Sequence, residues 1–420
     1  MHATSTAIDS APVAVGHSAT RTLSVLLFPW IGMMSVFIAL LQVFVPLQVQ
    51  AFAPDQKVST LGLVMGIGAL CASLTNPIAG TLSDHSGSRF GRRTPWLLGS
   101  AVASLGALVL LGNASSLWML VAFFCLTQVA TNVYQANLTA VMPDRIPTER
   151  RGVASAVIGV GLPLGGAVGS IIASHHTDRI ATGYALVGSI MLAMTILFIV
   201  VDREPAADKP SLPASSTTAG TQWLTYLSAF RHRDYAWTFA ARCLFVLGEM
   251  LLSSFLLYML QDFIALDPGH TPAGVIAKLA PLGMLAMLVA AVLAGYLSDR
   301  IKRRKPFVAL AAVLLALNCV VLFLWRNEHG VLVFYIVNGL AFGAYMAASQ
   351  SLSADVLPDP RHMARDLGVM SIANAAPQVL APMLGAVVIS HLGGYVGLLV
   401  VSALVLVLAM LSLMGIKNVR

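Results

Sequence analysis

Two charged residues stand seven apart in an otherwise apolar run, Arg242-Cys-Leu-Phe-Val-Leu-Gly-Glu249. At helical spacing they share one face two turns apart, about 10 Å along the axis. A full charge at the centre of a bilayer costs roughly 3 kcal/mol or more, so such a residue reads as functional, with a partner or a water path. Burial disfavours the ionised form of a carboxyl group, which makes Glu249 a candidate proton carrier. Arg242 is its candidate coupling partner. The alternative for Arg242 is that its long stem lifts the charge toward the nearer end of the segment.

A second constellation is uncharged. Gln128, Asn132 and Gln135 fall at i, i+4 and i+7, one helical stripe, with Tyr134 and Asn137 beside it. Each amide offers both a donor and an acceptor, and with aromatic rings nearby such a stripe suits a polyhydroxylated ligand. The same groups can instead bond helix to helix. Trp30 and Gln42, between Pro29 and Pro46, Tyr345, and Asn374 and Gln378 around Pro377 complete the candidate solute-binding set. Prolines free backbone groups, which is tolerable where a helix lines a cavity.

The elements that must carry these residues follow from composition. Of 420 residues, 57% are hydrophobic and 10% charged, against about 25% charged in a soluble domain. A membrane span needs about 20 mostly apolar residues. Hydropathy predicts twelve, at roughly 23–50, 60–82, 95–113, 117–141, 153–174, 182–201, 235–263, 273–297, 306–325, 331–356, 367–390 and 394–415. The fold class expected is an all-α integral membrane protein. The net charge of +7 does not point to nucleic acid, because most Lys and Arg residues fall in the turns on one side. By the positive-inside rule that side is cytoplasmic, with both termini there.

The chain is one unit written twice. Gly80-Thr-Leu-Ser-Asp84 returns as Gly295-Tyr-Leu-Ser-Asp299, 215 residues later, and Met142-Pro-Asp144 returns at the same offset as Leu357-Pro-Asp359. Two pseudo-symmetric six-helix bundles are expected, at 23–201 and 235–415. A polar tail at 1–22 is expected to be disordered. A linker at 202–234 is rich in Pro, Ala, Ser and Thr and ends in a short amphipathic helix carrying Trp223, Leu227 and Phe230. A short tail follows at 416–420.

Gly80-x-x-x-Asp84 followed by Arg89-Phe-Gly91-Arg92-Arg93-Thr-Pro95-Trp96 resembles the major facilitator superfamily. In its longer form it resembles the sucrose-transporter and glycoside–pentoside–hexuronide symporter branch. The resemblance implies alternating access with a cytoplasmic gate in which Asp84 pairs with Arg92. Arg93 and the second-half counterparts Asp299, Arg300 and Arg303 take part in it. His85 stands where the pattern usually has Arg, and the middle of span 2 lacks the Asp of melibiose-type members.

In span 5, Gly161, Gly165 and Gly169 recur every fourth residue, which lets two helix backbones approach. The run Gly161-Leu-Pro163-Leu-Gly165-Gly166 nearly matches an antiporter motif and leans slightly toward export. Asp262, near the outer end of span 7, is expected to face solvent. Cys71, Cys125, Cys243 and Cys319 read as apolar filler.

No Walker loop, His-Glu-x-x-His, Cys-x-x-Cys or Gly-x-Ser-x-Gly pattern occurs. No enzyme activity, metal or cofactor is therefore expected. The reading is a proton-coupled secondary transporter of a small polar solute, a sugar or glycoside, in the inner membrane. Its partners are the solute, protons and the bilayer, and it is expected to act as a monomer. An exporter of drugs or metabolites is the alternative. A non-transporting sensor on the same fold is a more distant one.

Overall fold

The computed structural model describes residues 15–84, 86, 88, 90–204, 228–301, 303–356 and 363–416. Within them are twelve helices long and apolar enough to cross a membrane. In the first half, spans 1 to 6 are Ala19–Phe52, Pro54–Ser83, Thr94–Gly112, Leu117–Arg145, Arg151–His175 and Ile180–Val201. In the second, spans 7 to 12 are Arg233–Ser253, Pro272–Ser298, Lys305–Leu324, Glu328–Ser349, Gly368–His391 and Gly394–Met414. All twelve expected spans are present. The chain is a multi-pass, all-helical membrane protein.

Local chemistry explains where several spans start. Spans 3 and 9 open on Thr94-Pro95 and Lys305-Pro306, with proline in the first turn, where its missing N–H costs nothing. Span 4 opens on Ser116, whose hydroxyl accepts from the Met119 N–H at 3.3 Å. Span 7 breaks at Ser254 and resumes as a short helix, Leu256–Asp262. Span 1 contains a π-helical stretch, Ala39–Phe44, in which the Val45 N–H reaches back to the Leu40 carbonyl. Pro46 follows at once and has no N–H to offer the Gln42 carbonyl. Wide turns of this kind occur often at functional sites.

The chain entry differs from expectation. Residues Val15–Val25 form a helix, although a disordered tail was expected to residue 22. Ala19 and Thr22 are buried, and the Thr22 hydroxyl donates to Asp202 Oδ2 at 2.9 Å. That bond satisfies two polar groups and anchors the segment to the end of span 6. Most of the expected linker, with Trp223 and Leu227, lies outside the described residues.

The ends of the spans form two faces. The basic face carries residues 90–94, 145–151, 201–204, 228–233 and 303–305; the opposite face carries the alternate turns. Between the halves, span 2 packs on span 11 and span 5 on span 8, two contacts exchanged by the repeat. Near the opposite face these pairs touch. A Cβ at Gly62 would stand 2.6 Å from the Pro382 carbonyl oxygen, and one at Gly66 would be 2.8 Å from Met383 Cγ. Gly166 is closed off in the same way by the Met284 side chain. Nearer the basic face on the same spans, Gly80, Gly152, Gly159 and Gly368 have nothing within 4 Å of where a Cβ would stand. The halves meet at the opposite face and part toward the basic one.

The span 5 glycines do what their spacing predicts, within one half. A Cβ at Gly165 would lie 2.5 Å from the Ile31 carbonyl oxygen, and one at Gly169 would lie 2.3 Å from that of Ser35. Span 5 therefore lies backbone to backbone on span 1.

Candidate functional site

Span 7 holds Arg242 and Glu249 in buried positions, at 7% and 8% exposure. Arg242 does not reach for the surface. Its Nε donates to Asn374 Oδ1 on span 11 at 2.9 Å, and its Nη1 to Ser353 Oγ, in the continuation of span 10, at 2.8 Å. Glu249 Oε2 is buried with no hydrogen-bond partner. The Ser253 hydroxyl one turn on donates to the Glu249 main-chain carbonyl at 3.1 Å. Tyr345 stacks flat on Phe245, with ring centroids 3.7 Å apart and planes 8° from parallel. The structure thus brings Arg242 and Asn374 into direct contact, with Phe245 and Tyr345 one turn along span 7.

In the first half, Trp30 Nε1, Gln42 Oε1 and Gln128 Oε1 are buried without partners. Each such atom costs about 1–3 kcal/mol unless something satisfies it. Gln42 sits in the π-helical turn of span 1. Gln135 is half-buried and Gln378 exposed. Two expected ligands turn out otherwise engaged. Tyr134 is fully buried, with its hydroxyl 2.7 Å from Thr195 Oγ1 on span 6. It ties two helices of one half, a correction to its expected role. Asn132 Oδ1 accepts from Asn76 Nδ2 at 3.0 Å, and its own Nδ2 donates to the Gln128 carbonyl at 2.8 Å. Gln48 is likewise helix glue, donating to the Leu111 carbonyl and accepting from Tyr184.

At the basic face the Gly-Arg-Arg turn becomes legible atom by atom. Gly91 has φ +93°, and a Cβ there would run into the Glu204 side chain, so glycine is required twice over. Glu204 folds back over the start of span 3 and accepts from the Arg93 N–H at 3.0 Å, the Thr94 N–H at 2.9 Å and the Thr94 hydroxyl at 2.9 Å. A carboxylate there satisfies orphan N–H groups and faces the positive end of the helix dipole. Arg93 Nε pairs with Asp144 at 2.8 Å and its Nη1 donates to Ser83; Arg92 joins Asp144 at 3.0 Å. Arg145 bridges Asp202 at 2.8 Å and Glu204 at 2.9 Å. Trp96 Nε1 closes the turn on Ser86 Oγ at 2.9 Å.

All of these partners lie in the first half or at the start of the linker that follows it. Asp144, Arg145, Asp202 and Glu204 were not singled out from the sequence. The signal for Asp144 was there, in the Met-Pro-Asp repeat. The side chains of Asp84 and Asp299, and all of His85, lie outside the described residues, and the expected Asp84–Arg92 pair lies outside them too. Arg300 and Arg303 are exposed.

The opposite face carries what the sequence did not foretell. Lys57 Nζ lies 2.8 Å from Asp262 Oδ1 and 4.9 Å from the centroid of the Tyr258 ring. The Tyr395 hydroxyl donates to Asp262 Oδ2 at 2.8 Å, and the Tyr258 hydroxyl to the Pro46 carbonyl at 2.8 Å. Asp262 is therefore paired across the halves, not merely solvated as expected. The hydrogen bonds that described residues of one half make to those of the other all lie here. Asp267, His270 and Glu328 also gather on this face, the one group of metal-binding residue types among the described residues. His270 and Glu328 already satisfy each other at 2.6 Å.

The family model of the Major Facilitator Superfamily matches residues 26–284 and again 246–418. The chain belongs to that superfamily of membrane transporters. Among its relatives is the MFS transporter asaE of Aspergillus flavus, 23% identical over 353 residues, covering 83% of this chain and 75% of the relative. The multi-drug resistance efflux pump PmrA of Streptococcus pneumoniae is 27% identical over 196 residues, 44% of this chain and 47% of the pump. The proton-associated sugar transporter A of Rattus norvegicus is 29% identical over 210 residues, 40% of this chain and 27% of the transporter. A peptide transporter POT, solved in complex with sulfate, superposes with a TM-score of 0.77 at 12% identity, covering 96% of this chain and 98% of that one.

Proposed function

We propose that the chain moves a small polar solute, a sugar or glycoside, by proton-coupled alternating access. The observation that carries the reading is Glu249, a buried carboxyl group on span 7 with an oxygen that no protein group satisfies. An unpaired buried carboxylate costs several kcal/mol, and a bound proton removes that cost. Proton uptake and release there is then tied to which side of the membrane the site faces. Gln42 and Gln128 offer unpartnered amide oxygens to hydroxyl groups of the solute. Trp30, Gln135, Asn374 and Gln378 complete the set.

By the positive-inside rule the basic face is the cytoplasmic one, and the membrane of this reading is the inner one. The arrangement described is then the inward-open one: sealed outside by Lys57 and Asp262, parted inside. Transporters built from such repeats rock about a site near the midplane. The turns at Asp84 and Asp299, with Arg92, Arg93, Arg300 and Arg303, gate the inner side.

The test is uptake of labelled sugars and glycosides, neutral (sucrose, maltose) and acidic (glucuronides), into proteoliposomes, with and without an imposed proton gradient. Gradient-stimulated accumulation of one of them is expected. Uptake indifferent to the gradient would sink the coupling. Export is the second reading, favoured by the likeness to an efflux pump. The direction of flux in oriented vesicles decides between the two.

A further inference from the structure

The buried arginines of this protein are treated differently. Arg93, 5% exposed, pairs with Asp144. Arg145 pairs with Asp202 and Glu204. Arg242, 7% exposed, has two polar partners, the Asn374 carbonyl oxygen and the Ser353 hydroxyl, and both are neutral. Glu249 lies two turns along the same helix, about 10 Å away by axial rise, too far for a direct pair. A guanidinium keeps its charge under all ordinary conditions and has five N–H groups, of which these bonds use two. A buried cation left without an anion costs several kcal/mol.

Its surroundings lead outward. Asn374, which holds the guanidinium, is half-buried, and Gln378, one turn further along span 11, is exposed. Phe245, one turn along span 7 from Arg242, carries Tyr345 stacked upon it. The cation therefore stands at the inner end of a polar line, with an aromatic pair beside it.

We propose that the solute carries an anionic group, a carboxylate or phosphate, and that Arg242 receives it. This rests on the reading that the chain is a solute transporter and narrows the solute from any sugar to one with an acidic group. The planar guanidinium, held at Nε and Nη1, has N–H groups left for the two oxygens of such a group, a geometry that lysine cannot copy. Asn374 and Ser353 are positioning residues. With the anion bound, the charge on Arg242 is balanced. A protonated Glu249 then adds none, so the loaded site is neutral while the halves rock about it.

The experiment uses the purified full-length chain in detergent and no gradient. Melting temperature is followed against matched probes: glucose with glucuronate, galactose with galacturonate, and the methyl ester of glucuronate as a neutral isostere. Glucose 6-phosphate separates phosphate from carboxylate. The anionic member of at least one pair is expected to stabilise the protein while its neutral partner does not. Arg242→Gln should raise the half-saturating concentration roughly thirtyfold or more, and Arg242→Lys should raise it less. Size-exclusion profiles show that both variants are folded; if Arg242→Gln is not, the Lys variant and the methyl ester carry the comparison.

Equal stabilisation by both members of a pair, undiminished binding in Arg242→Gln, or no response to any anion would overturn the assignment. None of these outcomes touches proton coupling, which needs a gradient. Conversely, intact anion binding with gradient-independent uptake would sink only the coupling.

Discussion

Lys57 and Asp262 lie 205 residues apart in sequence and 2.8 Å apart in space, joining the start of span 2 to the end of the helix that extends span 7. Tyr395 holds the other carboxylate oxygen at 2.8 Å. The pair is part-exposed, 18% for Lys57 and 35% for Asp262, so its worth is at most about 1 kcal/mol. Lys57→Ala should therefore shift the balance toward the form open at this face by up to roughly fivefold. Spin labels at Gln56 and His391 would show a longer-distance population growing. The double swap Lys57→Asp with Asp262→Lys should restore the wild-type distribution. A distance distribution unchanged by Lys57→Ala would remove the pair from the gate.

Glu249→Gln keeps the shape of the side chain and removes its proton chemistry. Gradient-driven accumulation should fall to the level of passive equilibration, while solute exchange across the membrane without a gradient continues. In the wild type, accumulation should fall as the outside pH is raised, since fewer protons are available to drive it; the variant should show no such slope. Accumulation by the variant at the wild-type level would show that another group carries the proton.

Glu204 accepts from three donors at the start of span 3 and also pairs with Arg145. It is 12% exposed at the side chain. Glu204→Ala leaves Arg145 with Asp202 alone and uncaps the turn, which should cost about 3 kcal/mol. The melting temperature in detergent should drop clearly, and Glu204→Gln should recover part of the loss by keeping an acceptor. A melting temperature equal to wild type would mean that water replaces the carboxylate without penalty.

At Gly169 a Cβ would stand 2.3 Å from the Ser35 carbonyl oxygen, which is backbone and cannot swing aside. Gly169→Val should push span 5 off span 1 and cost about 3 kcal/mol or more, read as loss of monodisperse protein. Gly159→Val is the control, because nothing lies within 4 Å of its Cβ position. Equal yields from the two variants would contradict the close approach.

Tyr134→Phe removes one buried hydrogen bond, to Thr195. About 1 kcal/mol of stability should go with it, and the half-saturating solute concentration should stay where it was. A large change in half-saturation would return Tyr134 to the binding set.

The twelve spans and the duplication were legible in the sequence because both are local properties. Twenty apolar residues cross a bilayer wherever they stand, and a repeat is visible by comparing the chain with itself. Glu249 and Arg242 were legible for the same reason: a charge inside an apolar run stands out before any neighbour is known. The glycines of span 5 announced a close approach, though not that Ile31 and Ser35 of span 1 would be the partners.

What only the tertiary structure decided is which face of each helix meets which neighbour. Hydropathy in a membrane span is nearly uniform around the helix, so it cannot tell a lipid face from a packed one. Tyr134 and Gln135 are adjacent in sequence, yet one is locked on Thr195 and the other is half-buried. Asp262 finds its cation across the halves, while Arg242 has neutral partners and no such counter-charge. Those pairings depend on how two six-span halves rest against each other, and no local pattern encodes the distance between residues 57 and 262.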